Sequence, residues 1–359
     1  MTTKDLFAPY QMGDLLLSNR IVMGPLTRCR AEPGNVASPL AATYYVQRAS
    51  AGLIISEGSQ VSPFGQGYAN TPGIYNEAQM LGWKHVVDAV HQAGGKIFIQ
   101  LWHVGRTSHP DFLNGELPVA PSAINPNIVQ HTPLGKKDSV TPRALELSEL
   151  PAIVAEFRRG AELAKQAGFD GAEVHGANGY LIEQFLKDGA NQRTDSYGGS
   201  PEKRARLPLE ITQAVVDVFG ASRTGIRLSP NNDRNGLKDS NPAPVYTHLV
   251  RELDKMGVGY IHVIEGITGG ERNAPGMDLS ELRKLYKGTY MVNNGYNRDM
   301  AEAAINNGSA DLVCFGRPFI SNPDLVKRLA RNAPLTPMDA STLYSPGDKG
   351  YTDYAMLTD

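Results

Sequence analysis

The chain has 359 residues, 41% of them apolar and 20% charged, an ordinary globular make-up able to bury a large core. Its 35 basic and 37 acidic side chains leave a net charge of −2, which gives no basis for a nucleic-acid or acidic-membrane partner. No apolar run could cross a bilayer, the first residues lack a signal peptide's apolar heart, and the two cysteines, Cys29 and Cys314, form no disulfide framework or Cys-x-x-Cys site. A cytoplasmic enzyme acting on small molecules, as a monomer or homodimer, is the expectation.

In chain order, residues 7–12 and 15–17 read as a hairpin turning at Gly13-Asp14. A two-strand piece cannot stand alone, so it is expected to plug one end of something larger. A repeated theme follows: a short strand apolar on both faces, a Gly-rich or polar loop, then an amphipathic helix. The strands fall at 21–26, 53–57, 96–101, 171–175, 225–228, 260–264, 290–293 and 312–315. The helices fall at 39–50, 80–93, 150–167, 201–218, 243–256, 279–285, 298–306 and 323–331, several closed by a glycine (Gly94, Gly168, Gly257). Eight such repeats predict an α/β fold, one (β/α)8 TIM barrel spanning 1–359 as a single domain. A doubly wound open sheet is the alternative, but no Gly-x-Gly-x-x-Gly follows the first strand. Two connections exceed plain turns: 103–149 after the third strand, rich in Pro, Asn and Gly, and 187–199 after the fourth. Both leave the carboxyl ends of strands, where barrel sites are built, and the first is read as a lid or pocket wall.

The fourth strand carries the densest chemistry. His175 ends it, and Asn178 and Tyr180 lie on the turn beyond. An imidazole, an amide and a phenol this close could grip one carbonyl oxygen and supply a proton, although such a turn taken alone could simply satisfy its own loop. No lysine ends a strand, so a Schiff-base aldolase is poorly supported; no His-x-His or paired carboxylates suggest a metal hydrolase. The strand ends instead offer Thr27, Gln100, Arg227 and glycine-flanked amides, with Trp102 and Tyr68 nearby in sequence. These suit a flat polar heterocycle with a phosphate tail, cradled by Asn294-Gly295 and Gly316-Arg317 after the seventh and eighth strands. Flavin mononucleotide, FMN, meets that description.

Several stretches then match one family in order: 19–28 (Asn-Arg-Ile-Val-Met-Gly-Pro-Leu-Thr-Arg), Gly67-Tyr68, 100–106 (Gln-Leu-Trp-His-Val-Gly-Arg), 175–181 (His-Gly-Ala-Asn-Gly-Tyr-Leu), 191–200, 227–230 and 316–318. From about residue 6 to 354 the chain resembles the Old Yellow Enzymes, FMN-dependent ene-reductases. The resemblance implies non-covalent FMN with Pro25, Thr27, Gly58 and Gln100 along the ring, Thr27 bonding the carbonyl next to N5. It implies Arg227 at the N1 and C2-carbonyl edge, where a fixed cation stabilises the anionic reduced ring. Asn294, Gly295, Gly316 and Arg317 would hold the phosphate; Tyr68, Trp102 and Tyr344 would shape the pocket. His175 and Asn178 would bind the substrate carbonyl, and Tyr180 would protonate the α-carbon as N5 delivers hydride to the β-carbon.

The implied activity is NAD(P)H-driven reduction of enones, enals, maleimides and nitroalkenes, with NADPH and NADH both open and no metal. Three departures or choices stand out: Leu343-Tyr344-Ser345-Pro346-Gly347 replaces a Phe-Tyr-polyglycine tail, His175 pairs with Asn178 rather than a second histidine, and Thr27 stands where another branch has cysteine. Rival readings are a quinone, nitro-compound or nitrate-ester reductase on the same site, a metal-dependent barrel hydrolase or lyase using His103 and His175, and a non-catalytic flavin binder. Cys29 and Cys314 are read as packing, and His85, His91, His248 and His262 receive no role.

Overall fold

The computed structural model describes residues 5–358, so the extreme ends of the expected 1–359 unit lie outside the described residues. The N-terminal strands β1 (Tyr10–Met12) and β2 (Leu15–Leu17) pair antiparallel. Then come β3 (Ile21–Met23), α1 (Pro39–Val46), β4 (Leu53–Gln60), α2 (Glu77–Gln92) and β5 (Ile97–Trp102). An excursion contains β6 (Val119–Ala120), β7 (Val129–Thr132), β8 (Gly135–Asp138) and β9 (Arg143–Ala144). The chain returns through α3 (Leu150–Ala167), β10 (Gly171–Gly176), α4 (Leu181–Leu186), α5 (Pro201–Phe219), β11 (Thr224–Leu228) and α6 (Pro242–Met256). It finishes with β12 (Tyr260–Ile264), α7 (Ser280–Leu285), β13 (Thr289–Asn293), α8 (Arg298–Asn306), β14 (Leu312–Phe315), α9 (Arg317–Ser321) and α10 (Leu325–Ala330).

Strands β3, β4, β5, β10, β11, β12, β13 and β14 form one closed parallel barrel, the expected (β/α)8 TIM architecture. Local signals explain where its helices start and stop. Ser38 accepts from the Leu40 N–H ahead of Pro39, while Gly168 (φ 95°) and Gly257 (φ 67°) end α3 and α6 in the left-handed conformation that costs glycine least. The hairpin does plug one end: Met12, Leu15 and Leu17 pack with Phe98, Tyr260, Met291 and Leu312 inside the barrel. Two of those rings need glycine beside them, since a Cβ at Gly225 would sit 2.2 Å from Tyr260 and one at Gly171 would sit 2.4 Å from Phe98. Gly225→Ala is therefore expected to lower stability by about 1–3 kcal/mol, the usual overpacking cost, readable in a denaturation midpoint.

Several boundaries differ from the sequence expectation. Strand β3 stops at Met23 rather than 26: Gly24 still donates to Phe315 O, but Pro25 has no N–H to continue the ladder. Strand β4 continues past 57 to Gln60 because a bulge between Ile55 and Gly58 restores pairing with β5. Helix α1 ends at Val46 rather than 50, where the chain tightens into i→i+3 turns such as Arg48 N–H to Tyr45 O. The expected 323–331 helix is the shorter α10, preceded by the unexpected α9. The 103–149 connection is more ordered than its composition suggested: β7 and β8 form an antiparallel hairpin, and β6 pairs with β9. Among the described residues no helix is long and apolar enough to cross a membrane.

Candidate active site

At the carboxyl end of the barrel, side chains that alternate inward along each strand meet in layers. Gln100, Glu173, Arg227, His262 and Asn293 gather in the barrel interior as two hydrogen-bonded sets, Gln100–Glu173–His262 and Arg227–Asn293, with Arg227 two residues nearer the mouth than the register partner of Glu173. Glu173 Oε1 accepts from Gln100 Nε2 at 2.8 Å, and Oε2 accepts from Tyr260 OH at 3.1 Å and from His262 Nδ1 at 2.9 Å. Arg227 Nη2 donates to Asn293 Oδ1 at 2.8 Å while its Nε is buried without a partner. Gly58 pairs with Gln100, and a Cβ there would meet the Trp102 ring at 2.7 Å, so this rim position admits only glycine. Pro25 and Thr27 follow β3, partly exposed at the same end of the barrel.

Above these groups, His175, Trp102, Tyr180 and Tyr68 form an aromatic cage. Trp102 stacks on Tyr68 (5.5 Å between centroids) and on His175 (6.3 Å), and Tyr180 meets His175 edge-on at 5.0 Å. The Tyr68 and Tyr180 hydroxyls lie 3.0 Å apart. Burial, reinforced by Tyr68, holds the Tyr180 phenol well above its usual pKa of 10.0, so it stays a proton donor. Burial, with the charge of Arg227 behind it, holds the His175 imidazole well below 6.5, so it is neutral, and its Nδ1 is buried without a partner.

The turn that presents Asn178 and Tyr180 is fastened from behind. Asn178 (φ 61°) and Gly179 (φ 79°) are both left-handed, and a Cβ at Gly179 would meet Arg234 O at 2.5 Å. The Asn178 N–H donates to Ser229 Oγ at 2.9 Å and the Gly179 N–H to Glu183 Oε2 at 2.6 Å. Glu183 is fully buried and also accepts from Ser229 OH, Tyr246 OH and the buried Lys187 ammonium. The Asn178 side chain is oriented too: its Oδ1 accepts from Thr268 OH at 2.6 Å and from Asn232 Nδ2 at 3.4 Å, which leaves its NH2 as the donor for a ligand. Thr268→Val should weaken binding of carbonyl ligands by up to about tenfold, with Thr268→Ser restoring it, in ligand titrations of the cofactor-loaded protein.

The strand-7 and strand-8 loops lie together as the motif order implied, with one refinement. The Asn294 side chain is committed to the loop after β12, donating to Glu265 O and Ile267 O and accepting from Gly269 N–H. What this corner can offer an anion is therefore main-chain amide at Asn294 (φ 109°) and Gly295 (φ 68°) and the exposed Arg317 guanidinium, which reaches over Gly269. Tyr344 is 62% exposed on a tail segment held by two arginines: Arg28 binds Leu343 O and Gly350 O, and Arg30 binds Thr342 O, Gly347 O and Lys349 O.

The sequence reading gave His262 no role, yet it joins the inner layer; it also passed over Glu173, Asn293, Thr268 and Glu183. Glu173 was findable, being an acidic residue two positions before His175 on an otherwise apolar strand and hence on the same inward side. Cys314 is buried among the apolar plug contacts, and burial pushes the Cys29 thiol up to about 12, so neither is poised as a thiolate. His103 accepts from the Gly105 N–H through Nδ1, and burial lowers its pKa to about 3. Among the described residues no three His, Cys, Asp or Glu side chains converge as a metal site.

A parallel barrel with a buried cation, a polar inner layer, an anion-receptive corner and neutral hydrogen-bond donors at its mouth is the architecture of a flavin-dependent oxidoreductase. A family model for the NADH:flavin oxidoreductase / NADH oxidase family matches residues 5–336. The chain is 47% identical to 12-oxophytodienoate reductase 1 of Oryza sativa subsp. japonica, over 98% of this chain and 93% of that one. It is 43% identical to chanoclavine-I aldehyde reductase fgaOx3 of Penicillium roqueforti, over 98% and 96%. Morphinone reductase superposes with a TM-score of 0.95 at 46% identity, covering 99% and 97%, and its complex with tetrahydroNAD superposes with a TM-score of 0.94 at 46% identity. The old yellow enzyme homologue from Zymomonas mobilis superposes with a TM-score of 0.94 at 42% identity, over 98% and 99%. The chain belongs to the NADH:flavin oxidoreductase / NADH oxidase family, that of the Old Yellow Enzymes, and is an NAD(P)H-dependent flavin oxidoreductase.

Proposed function

We propose that this protein reduces activated C=C bonds, in enones, enals, maleimides and nitroalkenes, with NADH or NADPH as reductant and FMN held without a covalent bond. The observation that carries the reading is one turn of chain that bears a buried phenol kept protonated, Tyr180, beside a neutral imidazole, His175, and an amide turned outward as a donor, Asn178.

The chain's own groups fit FMN. The buried Arg227 Nε lacks a partner, Gln100 Oε1 is left to accept once its amide group is tied to Glu173, and the corner at Gly295, Gly316 and Arg317 suits a phosphate. Pro25, Thr27 and Gly58 complete the rim along which the ring would lie. Bound there, FMN supplies acceptance of hydride from nicotinamide and its delivery to the alkene. His175 and Asn178 grip the substrate's carbonyl oxygen with two neutral donors, which draws electron density from the conjugated bond without adding a charge. Tyr180 OH gives the proton that the α-carbon requires, and Tyr68 OH, 3.0 Å away, is placed to share the resulting charge. Trp102, Tyr68 and Tyr344 wall the substrate's apolar part.

The test is an absorption spectrum taken before and after anaerobic NADPH or NADH. Flavin bands that bleach and return on adding 2-cyclohexenone support the reading; a colourless protein that also refuses added FMN sinks it. A pH profile gives a second check. Because the His175 imidazole sits below 6.5 and the Tyr180 phenol above 10.0, both keep one protonation state across that interval. Burial raises the carboxyl of Glu57, next to Gly58, to about 7, so alkene reduction by pre-reduced protein should be flat only above that, from about pH 8 to 10, and a titration inside that window would mean that one of the two is exposed to water.

A further inference from the structure

We propose that Glu173 is a positioning residue that sets the reduction potential of the cofactor, a fixed negative charge under the flavin-binding layer that holds the Gln100 amide and opposes the field of Arg227. The inference rests on the flavin reading above and goes beyond it by assigning a role to a group that touches neither substrate nor ring.

Three observations carry it. Glu173 is fully buried in the middle of the barrel, one residue pair below His175 along β10. All three of its hydrogen-bond donors, Gln100, Tyr260 and His262, are groups that are uncharged or kept so: burial lowers the His262 pKa below its usual value. Among the described residues His262, 2.9 Å from Oε2, is the one basic side chain in contact with the carboxylate, and burial disfavours its charged form, so the charge of Glu173 is met chiefly by dipoles. Burial pushes its carboxyl up, but His262, Arg227 and Gln100 outweigh that and keep it ionised.

A buried charge of this kind is costly to desolvate, and a neutral side chain of similar shape would fill the space at less cost. The charge is kept beneath two groups that define the cofactor layer. Through Oε1 it fixes the Gln100 amide so that Oε1 of Gln100 remains an acceptor. Through the low-dielectric interior it reaches Arg227, whose register neighbours on either side are His175 and His262. Reduction adds negative charge to the flavin, so an anion beneath the ring opposes it. Arg227 pulls the potential up, Glu173 pulls it down, and their balance sets how strongly the reduced cofactor drives hydride to the alkene.

The experiment measures FMN affinity and the midpoint potential, by equilibration with a reference dye, in the native holoenzyme and in Glu173→Gln, Glu173→Asp and Tyr260→Phe. The native protein is tested first: flavin binding with enone turnover establishes the parent reading, and its failure would overturn both. The proposal then expects Glu173→Gln to retain flavin and to favour the reduced form about tenfold or more, a positive shift of about 30 mV for a two-electron couple. Glu173→Asp, which keeps the charge, should stay within about threefold of native on the same scale. No shift in Glu173→Gln, or an equal shift in both, would assign the residue to packing and overturn the proposal. Should Glu173→Gln fail to fold or to hold flavin, Tyr260→Phe decides. It removes an uncharged donor and leaves the carboxylate less masked, so the potential must fall; an unchanged or raised potential overturns the proposal.

Discussion

Tyr180→Phe is expected to cut enone turnover by about 10²–10⁴-fold while leaving reduction by nicotinamide at its native rate. The phenol is the proposed proton donor on the turn beyond β10, and burial together with Tyr68 keeps it protonated. Phenylalanine keeps the edge-on contacts to His175 and Trp102 and removes only the hydroxyl. Rapid-mixing kinetics of the two half-reactions separate the outcomes. Enone turnover that survives undiminished would remove the proton-donor role and favour the rival reductases of quinones, nitro compounds or nitrate esters, which need no proton from this residue. Loss in both halves would instead mean that the substitution had disturbed the flavin layer.

His175→Ala is expected to act on a different step. It removes one of the two neutral donors proposed for the substrate carbonyl, so affinity for enones and phenolic ligands should fall roughly 10–100-fold, about 1.5–3 kcal/mol for a hydrogen bond to an oxygen that gains charge. Flavin should stay bound, because Gln100 and Arg227 are anchored to Glu173 and Asn293 rather than to His175. Ligand titrations followed in the flavin spectrum give affinity and cofactor content in one experiment. A protein that loses its flavin on this change would place His175 in the cofactor layer and leave Asn178 as the sole substrate donor. The ring contact with Trp102 also disappears, so a modest fall in stability should accompany the change.

Much of this was legible in the amino-acid order because barrel strands and helices announce themselves locally. Short runs apolar on both faces and separated by amphipathic segments located the eight barrel strands, and the inability of a two-strand piece to stand alone marked the N-terminal hairpin as a plug. Residues that end strands sit on one face whatever the loops do. His175, Gln100 and Arg227 could therefore be assigned to one mouth before their distances were known. Boundaries were less secure, since a bulge in β4 and the missing N–H of Pro25 act through pairing with neighbouring strands.

What only the tertiary structure decided concerns long-range polar contacts and their consequences. Thr268 reaches Asn178 across 90 positions, and Glu173 meets His262 across 89. Neither pairing has a local spacing that marks it, because barrel closure rather than helix or strand period brings the partners together. The protonation states were equally invisible: a neutral His175 and an intact Tyr180 phenol follow from burial and from the charge of Arg227. The commitment of Asn294's amide to the loop after β12, which leaves main-chain amides for an anion, is a third case. By itself the sequence determined the barrel, the end at which its strand-end residues gather and the residue types available there, since those depend on periodicity and on chain direction. Which of those groups carry charge, which are free to bind and which are held in place depended on packing, because desolvation and hydrogen bonding are properties of surroundings assembled from distant parts of the chain.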